Sequence, residues 1–85
     1  MSEERTRIGT VTHFFSKISV AGIELTDILK VGDTLAIEGA TTNFDQEVES
    51  MQVENRAVTQ AEAGVIVGIR VKDKVRKGDK VYRVG

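Results

Sequence analysis

The residues best suited to chemistry form a basic run near the C-terminal end of the chain. Residues 70–85 hold seven basic and two acidic side chains, whereas residues 1–69 hold five basic and eleven acidic ones. Cations at alternate positions of a strand share one face, and such a face can bind phosphates or acidic groups. The sequence therefore predicts a binding surface made of Arg70, Lys72, Lys74, Arg76, Lys77 and Lys80. The alternative is a solvated face that keeps an edge strand from pairing with other chains.

Two adjacent aromatic residues, Phe14 and Phe15, extend this candidate surface. Successive side chains of a strand point to opposite faces, so only one of the two rings can face the core. The outward ring could stack on a nucleic-acid base or on a partner protein. The alternative is a ring that covers the open end of a small core.

Catalytic chemistry has little support in the sequence. His13 is the single histidine, and nucleophilic catalysis would need a carboxylate to orient it beside a hydroxyl such as Ser16 or Ser19. The carboxylates are spread along the chain without a paired arrangement, and there is no cysteine. We therefore predict no catalytic residues, no cofactor and no metal site.

The composition predicts strands. Valine, isoleucine and threonine supply 27 of the 85 residues, whereas leucine supplies three, and branching at Cβ favours a pleated sheet over a helix. Short apolar segments about ten residues apart fit a small closed antiparallel β-barrel of six to seven strands, because closure removes exposed edges. We expect a flexible N-terminus over residues 1–6 and one barrel domain over residues 7–85.

One pattern occurs twice, with an apolar residue placed before and after Gly-Asp. Gly32-Asp33 precedes residues 34–38, and Gly78-Asp79 precedes residues 80–84. Glycine can adopt the left-handed conformation that a tight turn requires. The sequence therefore predicts a turn followed by a strand at both places.

The other segments are assigned from their apolar phase. Gly9 predicts a bulge or a close approach in the first strand, and a change of phase after Val20 predicts a second bulge at Ala21-Gly22. The predicted strands are residues 8–15, 18–20, 47–54 and 65–71, with a long loop over residues 39–46 and a turn of helix over residues 56–64.

The charged N-terminal residues and the lack of a long apolar run predict a cytoplasmic protein without a membrane segment. The pattern does not define an oligomeric state.

Several segments, in this order, carry a family resemblance. They are Gly9-Thr10-Val11, residues 29–39 around Gly32-Asp33, Val48-Glu49-Ser50-Met51, residues 63–69, and residues 75–81 around Gly78-Asp79. Together they resemble the barrel that follows the GTP-binding domain in translational GTPases such as elongation factor Tu. The chain is more closely similar to stand-alone translation elongation factor-like proteins and to the C-terminal barrel of collagenase-like peptidases.

The resemblance implies a translation-factor type of barrel without the GTPase. The glycine-rich loop that cradles nucleotide phosphates is missing, so no nucleotide is expected to bind. The leading hypothesis is a non-catalytic module that binds RNA or a ribosome-associated partner through the basic run. The alternative is a protein-interaction or accessory barrel that partners a separate peptidase or modifying enzyme.

Overall fold

The computed structural model describes residues 5–84 and shows an all-β domain in which no residue of this range is helical. In chain order the strands are β1 (Arg5–Phe15), β2 (Val20–Leu25), β3 (Leu29–Lys30), β4 (Thr34–Glu38), β5 (Asn43–Glu47), β6 (Met51–Val53), β7 (Arg56–Val58), β8 (Gln60–Ala61), β9 (Ile66–Arg70) and β10 (Lys80–Val84). Residues 1–4 of the predicted flexible N-terminus lie outside the described residues, and residues 5 and 6 already belong to β1.

The strands form two antiparallel sheets. Eight of them follow the order β5-β4-β10-β1-β2-β9-β6-β7, and β3 pairs with β8. The prediction of an all-β, antiparallel domain is thus confirmed. Strands β5 and β7 end the large sheet, and no ladder joins them within residues 5–84, so barrel closure stays a prediction. The ten strands exceed the predicted six to seven, because residues 51–61 are divided into three short strands and because β3 and β5 lie where no strand was predicted.

The apolar core is supplied by strands of both sheets, mainly through alternate residues of each strand. The fully buried large side chains include Ile8, Ile23, Leu25, Leu29, Leu35, Ile37, Met51, Val67, Ile69 and Val81. Burial stabilises the fold by roughly 1.5–3 kcal/mol for each such side chain. With no cysteine in the chain, this packing has no disulfide to assist it.

Both predicted Gly-Asp turns are confirmed. The glycines adopt positive φ values, 98° at Gly32 and 95° at Gly78. In each turn the aspartate carboxylate accepts a hydrogen bond from the main-chain N–H of the turn's first residue, at 3.0 Å for Asp33 and 2.8 Å for Asp79. The strands that follow, β4 and β10, pair with each other along their whole length.

The close approach predicted at Gly9 is confirmed, but the second bulge lies elsewhere. A Cβ on Gly9 would lie 2.7 Å from the carbonyl oxygen of Glu24, and the register of β1 against β10 shifts just before it. The other register shift falls between Val11 and His13, so the extra residue lies in β1 and not at the predicted Ala21-Gly22. Strand β2 keeps one inward phase throughout, because the residues before Val20 belong to the turn and not to the strand.

The segment from residue 39 to residue 64 differs most from prediction. The predicted loop contains β5, in which Phe44 and Gln46 are the less exposed residues. The predicted strand 47–54 is reduced to β6, and the predicted helical turn is replaced by β7 and β8. The cause is a two-residue hairpin at Glu54 and Asn55, which have φ values of 51° and 65°. Positive φ at both central residues fits the type I′ turns that join adjacent strands.

Candidate functional site: a basic loop bordered by grooves

The predicted basic residues lie mainly in one loop, residues 71–79, which connects β9 to β10 and is called the basic loop below. Strand β9 ends at Arg70, so the predicted alternation of Arg70, Lys72 and Lys74 along one strand face is wrong. The N–H of Val71 still donates to the carbonyl of Ser19 at 2.8 Å, which continues the β2–β9 register one residue past the Val20–Arg70 pair, and the chain leaves the ladder after it.

Three buried residues fix the basic loop. Val71, Val75 and Asp79 are 4%, 3% and 6% exposed, whereas the residues between them are exposed. The N–H of Gly78 donates to the carbonyl of Val11, and the N–H of Val11 donates to the carbonyl of Asp79, both at 2.8 Å. The loop therefore has a defined path while its basic side chains stay in solvent.

Among the described residues, the predicted cations form no ion pair. Within residues 5–84, salt bridges involve only Arg5 and Arg83 among the basic residues. The six predicted cations Arg70, Lys72, Lys74, Arg76, Lys77 and Lys80 are exposed and, like Arg7, Lys17, Lys30 and Arg56, have no carboxylate within 4 Å in this range. Their charges are therefore available to a partner.

Three grooves border the basic loop, and Lys72 or Lys74 contributes to each. The first, of about 600 Å³, lies between β5 and the start of the loop and is lined by Gln46, Glu47, Glu49, Ser50, Arg70 and Lys72. The second, of about 360 Å³, is lined by Asn43, Phe44, Asp73, Lys74 and Arg76. The third, of about 190 Å³, is lined by Phe14, Ser16, Ser19, Lys72, Asp73 and Lys74.

The structure brings together only part of the predicted site. Phe14 packs partly against the core and lines the third groove with two lysines. Phe15 is 53% exposed and stacks on His13 with ring centroids 6.1 Å apart. Lys77 and Lys80 line none of the three grooves. The prediction that one phenylalanine faces inward and the other outward agrees with these exposures.

Gln46 is the contact that sequence reasoning missed. Its Nε2 donates to the carbonyl of Arg70, and its Oε1 accepts from the N–H of Lys72, both at 2.8 Å. Beside it, the ammonium of Lys72 lies 5.8 Å from the centre of the Phe44 ring, within the range of a cation–π contact. The available signal was the two-residue spacing of Phe44 and Gln46, which is that of one strand face.

In the described part of the chain, His13 has a hydroxyl and not a carboxylate as its hydrogen-bond neighbour. Its Nδ1 is 3.1 Å from the hydroxyl of Thr12, and no hydrogen bond to a carboxylate is found for it within residues 5–84. In the same range, no group of three or more histidine, cysteine, aspartate or glutamate side chains is arranged to hold a metal ion. Nor does that range contain a helix with the length and apolar character needed to cross a membrane.

Comparison with known proteins points to peptidases. The chain is 46% identical over 79 residues to an uncharacterized protease of Methanocaldococcus jannaschii, covering 92% of the chain and 19% of that protease. It is 37% identical over 84 residues to a collagenase of Porphyromonas gingivalis, covering 96% of the chain and 23% of the collagenase. The chain thus spans about a fifth of the length of these curated relatives. No family model matches it.

The fold agrees with this relationship. The crystal structure of the C-terminal domain of a putative U32 peptidase from Geobacillus thermoleovorans superposes with a TM-score of 0.86 at 20% identity. The superposition covers 92% of this chain and 91% of that domain. At this identity the likeness concerns the fold alone.

These findings support the predicted similarity to the collagenase-like barrel but not the translation-factor identification. The predicted role as a translation-factor module that binds RNA is wrong, because the relatives with matching sequence are named protease and collagenase. The motifs behind that prediction are Gly-Asp turns and strands, which specify a fold and not a function. The predictions of a cytoplasmic location, of no membrane segment and of no bound nucleotide stay predictions.

Proposed function

We propose that this chain acts as a non-catalytic accessory domain of a peptidase of the collagenase or U32 type, in which it positions the enzyme or its substrate. The observation that carries the proposal is the match to the Porphyromonas gingivalis collagenase, which extends over 96% of this chain but only 23% of that protein. A segment of this size leaves most of the relative's chain to supply the catalytic site.

The side-chain chemistry supports a binding role over a catalytic one. The exposed His13 has a threonine hydroxyl and a phenylalanine ring as its neighbours, whereas general acid–base catalysis needs a group held within hydrogen-bond reach of its partner. Arg70, Lys72, Lys74 and Arg76, which form no ion pair within residues 5–84, line the two larger of the three grooves. We assign the contact surface to these residues, with Phe14 in the adjoining third groove.

The proposed domain is of the closed-barrel type. Support comes from Gln46 on β5, whose amide bonds to the main chain at Arg70 and Lys72, at the end of β9. These two hydrogen bonds link an end strand of the large sheet to the end of a strand five places away in the sheet order.

A domain exchange in the Porphyromonas gingivalis collagenase tests the proposal. Three proteins are compared: the intact collagenase, a form lacking the segment that matches this chain, and a form in which this chain replaces that segment. We expect collagen hydrolysis to fall on deletion and to recover substantially on replacement, while this chain alone hydrolyses nothing. Hydrolysis by the chain alone, or full activity of the deleted form, would contradict the proposal.

Charge variants in the exchanged protein test the contact surface. Lys72→Glu combined with Lys74→Glu should lower the recovered hydrolysis, and the effect should weaken at high salt because exposed charges are screened. Lys17→Glu is the matched control, since Lys17 is exposed in the turn between β1 and β2. Equal losses in both variants would show that the basic loop is not the contact surface.

A further inference from the structure

Among residues 5–84, no strand pairs with the edge of β5 that faces the basic loop. The N–H of Val48 donates to the carbonyl of Asp33, and the carbonyl of Thr42 accepts from the N–H of Gly39. Main-chain groups alternate in direction along a strand, so the even-numbered residues of β5 face β4. The N–H and C=O groups of Asn43, Asp45 and Glu47 therefore face the groove side, where β5 has no ladder partner within residues 5–84.

The Gln46 amide fills this gap with the hydrogen bonds of a strand. It donates to the carbonyl of Arg70 and accepts from the N–H of Lys72. These two groups flank Val71, and a residue of a neighbouring parallel strand would bind the same pair through its own N–H and C=O. A side-chain amide thus stands in for one peptide unit of a strand.

A strand bound in this gap would have a direction that suits both β5 and residues 70–72. Successive neighbours from β5 to β9 are all antiparallel, so β5 and β9 run in opposite directions. A segment parallel to residues 70–72 is therefore antiparallel to β5, and its main chain can bond to both. The first two grooves, of about 600 and 360 Å³, lie along this gap.

We infer that the gap between β5 and the basic loop binds an extended acidic segment of a polypeptide, whose main chain replaces the Gln46 amide at Arg70 and Lys72. The choice of an acidic segment follows from charge. On the basic-loop side of the two grooves Arg70, Lys72, Lys74 and Arg76 outnumber Asp73, and none of these four cations has an ion pair in the described part of the chain. Glu47 and Glu49 line the opposite side of the first groove, so the carboxylates of a bound segment are expected against the basic loop. Main-chain hydrogen bonds supply affinity in strand addition, and side chains supply the choice of partner. The inference rests on the proposed function, because it states how the accessory domain contacts its partner.

Peptide binding to the 85-residue chain tests the inference. The probe is a six-residue peptide of alternating valine and glutamate with blocked ends, and its valine–lysine counterpart is the charge control. We expect the acidic peptide alone to bind, and Lys72→Glu with Lys74→Glu to weaken binding about five- to tenfold, since exposed ion pairs are individually weak. Equal binding of both peptides, or no binding at millimolar concentration, would overturn the inference.

Removing the Gln46 amide gives the more specific result. In Gln46→Ala the peptide no longer has to displace two hydrogen bonds, so we expect it to bind about three- to tenfold tighter. Gln60→Ala, at an exposed glutamine of β8, should leave affinity unchanged. If the role of Gln46 is purely structural, the peptide should bind Gln46→Ala with unchanged or weaker affinity. That result would contradict strand addition.

Amide hydrogen exchange on the unaltered chain keeps the test independent of variant folding. Bound peptide should slow exchange at the N–H groups of Asp45 and Glu47, which face the gap. Slowed exchange at β7, the other end strand, with no change at β5 would overturn the inference. If the collagenase exchange restores hydrolysis but the peptide does not bind, strand addition is rejected and the accessory role stands. If the peptide binds but the exchange restores no hydrolysis, only the accessory role is rejected.

Discussion

The two Gly-Asp turns allow a comparison of the same hydrogen bond in two environments. Each aspartate accepts from the N–H of its turn's first residue, at 3.0 Å for Asp33 and 2.8 Å for Asp79. Asp79 is 6% exposed and packs on Gly39, whereas Asp33 is only partly buried. We therefore expect Asp79→Ala to destabilise the chain more than Asp33→Ala does.

The magnitude follows from what each substitution leaves behind. A hydrogen bond to a charged acceptor contributes about 1.5–3 kcal/mol, and a polar group left buried without a partner costs about 1–3 kcal/mol. In Asp79→Ala the N–H of Arg76 loses its acceptor in a part-buried turn, so we expect a loss of about 2–3 kcal/mol. In Asp33→Ala water can reach the freed N–H of Lys30, because that bond is exposed, and we expect about 1 kcal/mol or less.

Urea unfolding of the two variants, followed by circular dichroism, measures the difference. A loss of 1 kcal/mol lowers Tm by roughly 4–8 °C in a domain of this size, so thermal unfolding should separate the variants clearly. Asp79→Asn, which keeps an acceptor oxygen, should recover part of the loss. Equal losses for Asp33→Ala and Asp79→Ala would refute the assignment of the difference to burial.

Three further stability predictions use the same unfolding assay. Gly39→Ala should cost about 1–3 kcal/mol through overpacking, because its Cβ would lie 2.0 Å from Oδ1 of Asp79; the cost should nearly vanish in an Asp79→Ala background, and an undiminished cost would contradict the clash. Gly9→Ala should cost about 1–3 kcal/mol since its Cβ meets a main-chain oxygen at 2.7 Å, whereas Gly68→Ala, with 3.4 Å to its nearest neighbour, should be neutral or stabilising by about 0.4–1 kcal/mol. Arg83→Ala should cost about 1–2 kcal/mol because Arg83 donates to a main-chain carbonyl at 2.6 Å; a loss that disappears in high salt would show that its ion pair, and not this bond, is the cause.

The sequence predicts those parts of the fold that local residue types determine. A tight turn of this kind requires a residue with positive φ, and glycine followed by aspartate meets that requirement locally. Both Gly-Asp turns and the strands after them were therefore predictable. Strand β9 was also predictable, because Val67 and Ile69 alternate with exposed neighbours. A strand with a polar inward residue was not predictable: Gln46 is satisfied by Arg70 and Lys72, at sequence separations of 24 and 26 residues.

Part of the candidate site could also be predicted from the sequence, and part could not. Clustering of Arg70, Lys72, Lys74 and Arg76 follows from their closeness in sequence, and exposure follows from their charge. The opposite wall of the grooves, from Gln46 to Ser50, comes from a segment assigned partly to a loop and partly to a continuous strand. Its position depends on the β4–β5 register, which no local pattern specifies.

The basic loop separates the determinants of its shape from the determinants of its charge. Its path depends on the buried side chains of Val71, Val75 and Asp79 and on main-chain hydrogen bonds to Ser19 and Val11. Its lysines are exposed and form no ion pair within residues 5–84, so reversing the charges of Lys72 and Lys74 removes only the contact of Lys72 with the Phe44 ring, at 5.8 Å. Lys72→Glu with Lys74→Glu should therefore change the free energy of unfolding by less than about 1 kcal/mol. A loss of binding in that variant then reports on the partner surface and not on the fold.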